Sequence, residues 1–170
     1  MRINSVEFHN LKTGWHLVSS KLDVFNLLVG ISGVGKTKIV QALCDLAIIA
    51  TGATDTAYHL EWTLDFSHND HDYLWKGRIE PSQIAQIRGA RENEFTFEQI
   101  IVDRDTVLVE RKNDTFNFKQ STLPKLKKSE SAMVLLAEES SLADLPDSGC
   151  RWKYCPQMPF LLPRHCSFLQ

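Results

Sequence analysis

No apolar run in the chain approaches the roughly 20 residues that a bilayer-crossing helix needs; Leu46 to Ala50 is a typical uninterrupted stretch. The first residues also lack the apolar core of a secretory signal, so a cytoplasmic location and no membrane partner are expected. Neither sign of charge is in excess. A formal net charge of −2 gives no global attraction to nucleic acid, so any DNA contact would have to come from a local patch. Lys125, Lys127 and Lys128 form one such patch and Arg88 with Arg91 another, although solvated surface is the simpler account of both. Cysteine is scarce as well: Cys44 stands alone, and Cys150, Cys155 and Cys166 lie near the end in no spacing that suits zinc. Free thiols in a reducing compartment are expected. With 170 residues of which 43% are hydrophobic, the chain has enough apolar material for one core, hence one domain.

What is present is concentrated in eight residues. Gly30, Ile31, Ser32, Gly33, Val34, Gly35, Lys36 and Thr37 complete the pattern G-x-x-x-x-G-K-[ST] of a phosphate-binding loop. A random chain of this length would match it on the order of once in a hundred. Its flanks are those the loop requires. Val24, Phe25, Leu27, Leu28 and Val29 read as a short buried parallel strand. Ile39, Val40, Ala42, Leu43, Leu46, Ala47 and Ile49 recur at helical spacing and predict a helix from Lys36 to Ala50, ended by Thr51 and Gly52. In such a junction glycine backbone N–H groups approach phosphate oxygens and the positive helix end faces the anion. Lys36 would reach the β- and γ-phosphates, and the Thr37 hydroxyl would ligate Mg²⁺.

The rest of the chain reads as strands. Ile3, Val6 and Phe8, then Trp15, Leu17 and Val18, predict two short strands ahead of the loop. From about 58 to 118 the period changes to two. Tyr58, Leu60, Trp62, Leu64 and Phe66 alternate with polar residues, Phe95 with Phe97 and Val107 with Val109 do likewise, and turns are expected at 68–72 and 103–105. This predicts an antiparallel meander beside the nucleotide-binding sheet. A helix through Met133 to Leu136 comes next, and from Arg151 onward prolines and cysteines replace any periodicity.

The order of these parts resembles the N-terminal lobe of the ATP-binding-cassette ATPases related to SMC, RecF and SbcC proteins, a group that includes AAA-type ATPases of prophage and anti-phage systems such as the PtuA group. The resemblance covers about residues 2 to 140. It rests on the strand Ile3 to Phe8, the turn Asn10-Leu11-Lys12, and Asn26-Leu27-Leu28-Val29-Gly30 leading into the loop; Ser32 departs from the asparagine common in the family. It implies a mixed α/β fold, a P-loop half-domain of an ATP-binding-cassette head with a mixed sheet. It also implies ATP and Mg²⁺ as ligands, Lys12 near the phosphates, and a homodimer or a separate C-terminal lobe as partner. DNA repair or phage defence, with DNA contact, comes by likeness alone.

The signature segment, the Walker B strand and the switch histidine of that family are not found. Asp103, after Ile100-Ile101-Val102, and Gln120 are the candidate catalytic residues, but 103–105 reads more readily as a hairpin turn and Gln120 as a solvated loop residue. Val134 to Glu139 is a further Walker B candidate, in a helical setting. The expectation is therefore an ATPase lobe over 1–149, an irregular and non-native tail over 150–170, and a truncated or frameshifted chain that turns ATP over slowly or not at all. A small P-loop kinase or GTPase using Asp103, and a non-catalytic nucleotide-binding module, are the rival readings.

Overall fold

The computed structural model describes residues 1–54, 59–83, 87, 92–112, 115–119 and 126–136. Seven strands, β1 (Arg2–Asn10), β2 (Trp15–Lys21), β3 (Leu60–His68), β4 (His71–Pro81), β5 (Asn93–Val102), β6 (Thr106–Lys112) and β7 (Thr115–Phe118), form one sheet in the order β2-β1-β3-β4-β5-β6-β7. Helix α1 (Lys36–Ala50) is inserted between β2 and β3. Every pairing among these strands is antiparallel. The composition is mixed but strand-rich.

Alternation determines which face is covered. In β3, Leu60, Trp62, Leu64 and Phe66 are buried, whereas Glu61 between them is exposed. The same face carries Val6 and Phe8 from β1, Trp75 and Ile79 from β4, and Phe95 and Ile100 from β5. Ala42, Leu46 and Ile49 of α1 complete this core at the spacing of one helix face. The turns obey their residues. Asn69 and Asp70 join β3 to β4 with φ of 48° and 61°, the left-handed pair that a two-residue hairpin demands. Asp103 and Arg104, at 51° and 72°, start the turn to β6. Helix α1 runs over the residues its periodicity predicts and stops where the Gly52 N–H bonds the Ile49 carbonyl with Gly52 at φ 86°.

Two buried contacts hold the centre of the fold, one within the sheet and one between the sheet and residues 128–132. Trp62 faces Gly77 directly across β3 and β4, and its ring fills the space where a side chain would stand: a Cβ on Gly77 would lie 2.2 Å from Trp62 Cζ2. Glu98 is fully buried in β5. Its carboxylate accepts from Trp75 Nε1 (3.1 Å), Ser131 Oγ (2.7 Å) and the Ala132 N–H (2.9 Å), and Arg111 Nη2 stands 3.9 Å away. Arg111 in turn lies between Phe95 and Phe116, with centroids at 5.1 and 5.2 Å, and donates to the Lys128 carbonyl. Burial pushes the Glu98 carboxyl above its usual range, against the pull of Arg111 first and then of the three donors.

The buried parallel strand expected over Val24 to Val29 does not form. These residues are irregular, and Val24, Phe25, Leu27 and Val29 are 87%, 79%, 73% and 80% exposed. A strand apolar on both faces needs a ladder partner and a covering layer on each side, and among the described residues β2 ends the sheet without offering them. Local bonds take over instead. Asp23 N–H donates to Asn26 Oδ1 at 3.0 Å, Asn26 Nδ2 to the Asp23 carbonyl at 2.7 Å, and Val24 N–H to Asp23 Oδ1 at 2.7 Å. The described sheet is thus wholly antiparallel, not mixed.

Two substitutions test these contacts. Gly77→Ala should lower stability by roughly 1–3 kcal/mol through overpacking against Trp62, read as a drop in the thermal midpoint; a midpoint equal to wild type would show that the ring has room. Glu98→Gln removes the nearer counter-charge of the buried Arg111, leaving only the weaker pull of Glu130, and should cost roughly 3–5 kcal/mol in urea unfolding, part of it recovered in the double variant with Arg111→Met.

Candidate functional site

The loop from Gly30 to Gly35 enters α1 with Lys36 and Thr37 as its first two helical residues. Gly30 to Val34 are exposed, so the loop is open to solvent. Gly33 and Gly35 carry φ of 86° and 93°, and Gly35 is the N-cap of α1 in the left-handed region. A residue with a Cβ would be strained at either position, so glycine is what allows the chain to reverse into the helix. No side chain caps the helix and no acidic residue occupies its first turn. Its amino end therefore keeps free donors and a positive partial charge.

Lys36 turns back over this loop. Its Nζ donates to the carbonyls of Gly30 and Ile31, both at 2.7 Å, which closes a ring from the loop's entry to the helix start. An ammonium is thereby held over a loop of glycine backbone, with the exposed Thr37 one residue further along α1. The ammonium and the uncapped N–H groups of the helix start are donors of the kind that can receive an anion with several oxygens, and the two carbonyls at the loop entry are covered by Lys36. A Mg²⁺ ion at such a loop takes a hydroxyl from the loop's Ser or Thr, an acidic side chain, and the rest of its shell from phosphates and water, and Thr37 would supply the first of these. Among the described residues no group of three or more His, Cys, Asp or Glu could hold a metal, and the first turn of α1 carries no acid.

The other candidates fall in different places. Lys12 is exposed in the turn between β1 and β2, which is held by Thr13 N–H on Asn10 Oδ1 at 3.0 Å and Gly14 N–H on the Asn10 carbonyl at 2.8 Å. Three residues on, Trp15 reaches the loop: a Cβ on Gly35 would stand 3.8 Å from its Nε1. The turn with Lys12 and the phosphate loop are thus neighbours. Asp103 is elsewhere. It lies just beyond β5, which β1, β3 and β4 separate from β2, and at the end of β4 where His71 and Asp72 sit, whereas Trp15 pairs with Asn10 at the opposite end of β1. Its Oδ2 is 2.8 Å from His71 Nδ1 and its Oδ1 accepts the Asp72 N–H at 3.1 Å. The hydrogen bond from His71 and then that from Asp72 hold its carboxyl below the usual range. The structure does not bring Asp103 to the loop; it locks two hairpin tips together.

Lys127 and Lys128 are each matched by an acid, Glu130 at 3.5 Å and Glu94 at 3.9 Å. Gln120, Lys125, Arg88, Arg91, Tyr58, Glu138, Glu139, the three C-terminal cysteines and the whole of 150–170 lie outside the described residues. Among the described residues no helix is long and apolar enough to cross a membrane. Trp15 is the site neighbour that sequence reasoning missed. Its one signal is its place directly after the turn that carries Lys12.

The Asp103 lock has a pH signature. A carboxyl with a depressed folded pKa adds stability above its unfolded pKa, near 3.8, and loses that contribution as the pH falls through the lower folded value. Wild type should therefore exceed Asp103→Asn in thermal midpoint at about pH 6 and converge with it near pH 2; parallel curves over that range would remove the lock. Comparisons with protein-family models, with curated proteins and with solved structures gave no match.

Proposed function

We propose that the chain binds a nucleoside triphosphate, ATP with Mg²⁺, through Gly30 to Thr37, as the N-terminal lobe of an ATPase resembling the SMC, RecF and SbcC group. The observation that carries this reading is the loop itself. Its glycines occupy left-handed backbone, it leads into an uncapped helix end, and it holds Lys36 turned inward over exposed backbone. Ile31, Ser32 and Val34 contribute backbone to the cradle, and Lys12 approaches from the neighbouring turn. Bound Mg²⁺ would neutralise charge on the phosphate oxygens. Thr37 orients it, Lys36 leaves its two carbonyls for phosphate oxygens, and the backbone N–H groups fix the register.

Turnover requires more. Phosphoryl transfer draws nearly all of its rate from positioning and from charges aimed at the transferring group. Asp103 is engaged with His71 and so lends no support to a small kinase or GTPase. The general base and the opposing contact to the γ-phosphate belong to a second copy or a C-terminal lobe, and the exposed apolar run at Val24 to Val29 supports such a completing partner. A role in DNA repair or phage defence comes from the resemblance, and the paired state of Lys127 and Lys128 adds nothing to it.

The test is nucleotide binding by equilibrium dialysis together with phosphate release. Wild type should bind Mg·ATP with little turnover, and Lys36→Ala should lose affinity roughly 10- to 150-fold, the loss of a hydrogen-bonding charge, while still unfolding cooperatively in the absence of nucleotide. Equal affinity of the two proteins would refute the site. Selective GTP binding, or transfer to a small acceptor, would favour the kinase or GTPase reading.

A further inference from the structure

Trp15 is unusual among the described tryptophans. Trp62 and Trp75 are 2% and 1% exposed inside the core, and Trp75 Nε1 is committed to Glu98. Trp15 is half-buried at the start of β2, its ring tilted at 53° to Phe8 with centroids 6.0 Å apart. Its backbone is fixed by pairing with Asn10 and by an N–H bond to Thr13 Oγ1 at 3.4 Å. Among the described residues no hydrogen bond is made by its indole N–H, as is true also of the buried Trp62 Nε1, but the Trp15 atom is the one lying 3.8 Å from the Cβ position on Gly35. The ring thus turns its donor edge, and not its face, toward the start of α1.

We propose that Trp15 belongs to the anion site, donating its indole N–H to a phosphate oxygen of the bound nucleotide. The inference rests on the phosphate-loop reading and deepens it. An aromatic face beside the loop would select a base by stacking. A donor-only edge selects negative oxygen. It joins the uncapped N–H groups of α1 and the Lys36 ammonium, which are donors too, and no acidic residue of the helix's first turn competes for it. Because the ring is wedged on Phe8, the donor is oriented before the ligand arrives and little rotamer freedom is lost on binding. The contact is to phosphate and should therefore be blind to the base. ATP, GTP and inorganic tripolyphosphate should all engage it, whereas adenosine should not.

The experiment uses the full chain labelled with ¹⁵N, whose four tryptophans, Trp15, Trp62, Trp75 and Trp152, each give an indole N–H cross-peak. Trp15→Phe keeps the ring against Phe8, removes the donor and assigns the peak. Addition of Mg·ATP or tripolyphosphate should shift the Trp15 cross-peak and leave those of Trp62 and Trp75 in place; adenosine should shift none. Dialysis should show Trp15→Phe weaker than wild type by roughly ten-fold, and by the same factor for ATP and tripolyphosphate. If dialysis reports ATP binding while the Trp15 peak stays still, or shifts with no loss of affinity in Trp15→Phe, the donor role is wrong and the loop reading stands. A shift with adenosine alone would assign the ring to the base and overturn the phosphate contact. No binding of ATP or tripolyphosphate by wild type would overturn both readings.

Discussion

A carboxylate taken fully out of water must be matched by charge and hydrogen bonds or it destabilises the fold by several kcal/mol, and Glu98 is in that position. Its matching groups come from three other stretches of chain: Trp75 in β4, Arg111 in β6, and Ser131 with Ala132 after the meander, all converging on β5. None of these segments can shift by a residue without stranding a buried charge. The register of the central strands and the docking of 131–136 are therefore one constraint. It also reaches α1. Val134 Cγ2 would meet a Cβ on Gly52 at 3.2 Å, Thr54 Oγ1 donates to the Ser129 carbonyl, and Asn93 Nδ2 bonds the Thr54 carbonyl. The carboxyl end of the helix is thus pinned, and its amino end, with the loop, projects from a fixed axis.

The two ends of α1 have opposite physical characters. At the pinned end the backbone N–H groups of Thr51 and Gly52 bond the carbonyls of Ile48 and Ile49, and Ile49 is fully buried. At the other end the donors are open, the neighbouring chain is exposed, and Lys36 satisfies the loop's own carbonyls. A rigid support with a solvent-open cradle is the arrangement in which an incoming anion replaces internal bonds and does not have to build the site. In the proposed reading Lys36 would exchange two neutral carbonyls for charged phosphate oxygens, adding ion-pair attraction to bonds that its ammonium already assists. Such an exchange would need no rearrangement of the core.

Local chemistry made part of this legible in the sequence. Helix α1, its glycine stop, the alternation of β3 and the turns at 68–72 and 103–105 all arise from spacing and backbone preference within a few residues. What was not legible depended on partners distant in the chain. Glu98 and Arg111 look like ordinary strand charges until the sheet is paired, and Trp15 looks like one more alternating apolar residue until the loop folds beside it. The run from Val24 to Val29 failed for the converse reason: its composition reads as a buried strand, but composition cannot supply the ladder partner on which a strand depends, and the Asp23 and Asn26 side chains offered the backbone a local alternative.

That failure bears on how binding and turnover would be divided in the proposed reading. Burying Val24, Phe25, Leu27 and Val29 would remove four large apolar side chains from water, each worth roughly 1.5–3 kcal/mol if fully covered. The run leads directly into Gly30, whose carbonyl holds Lys36. In the proposed reading, whatever covers it would also order the entry of the loop, so partner docking and nucleotide affinity would be linked and each would change the other by the same factor. Under that reading, a loop whose donors are oriented on one side by α1 would bind phosphate before that partner arrives. The geometry needed for transfer, with both sides of the γ-phosphate fixed, would then arise only in the completed assembly.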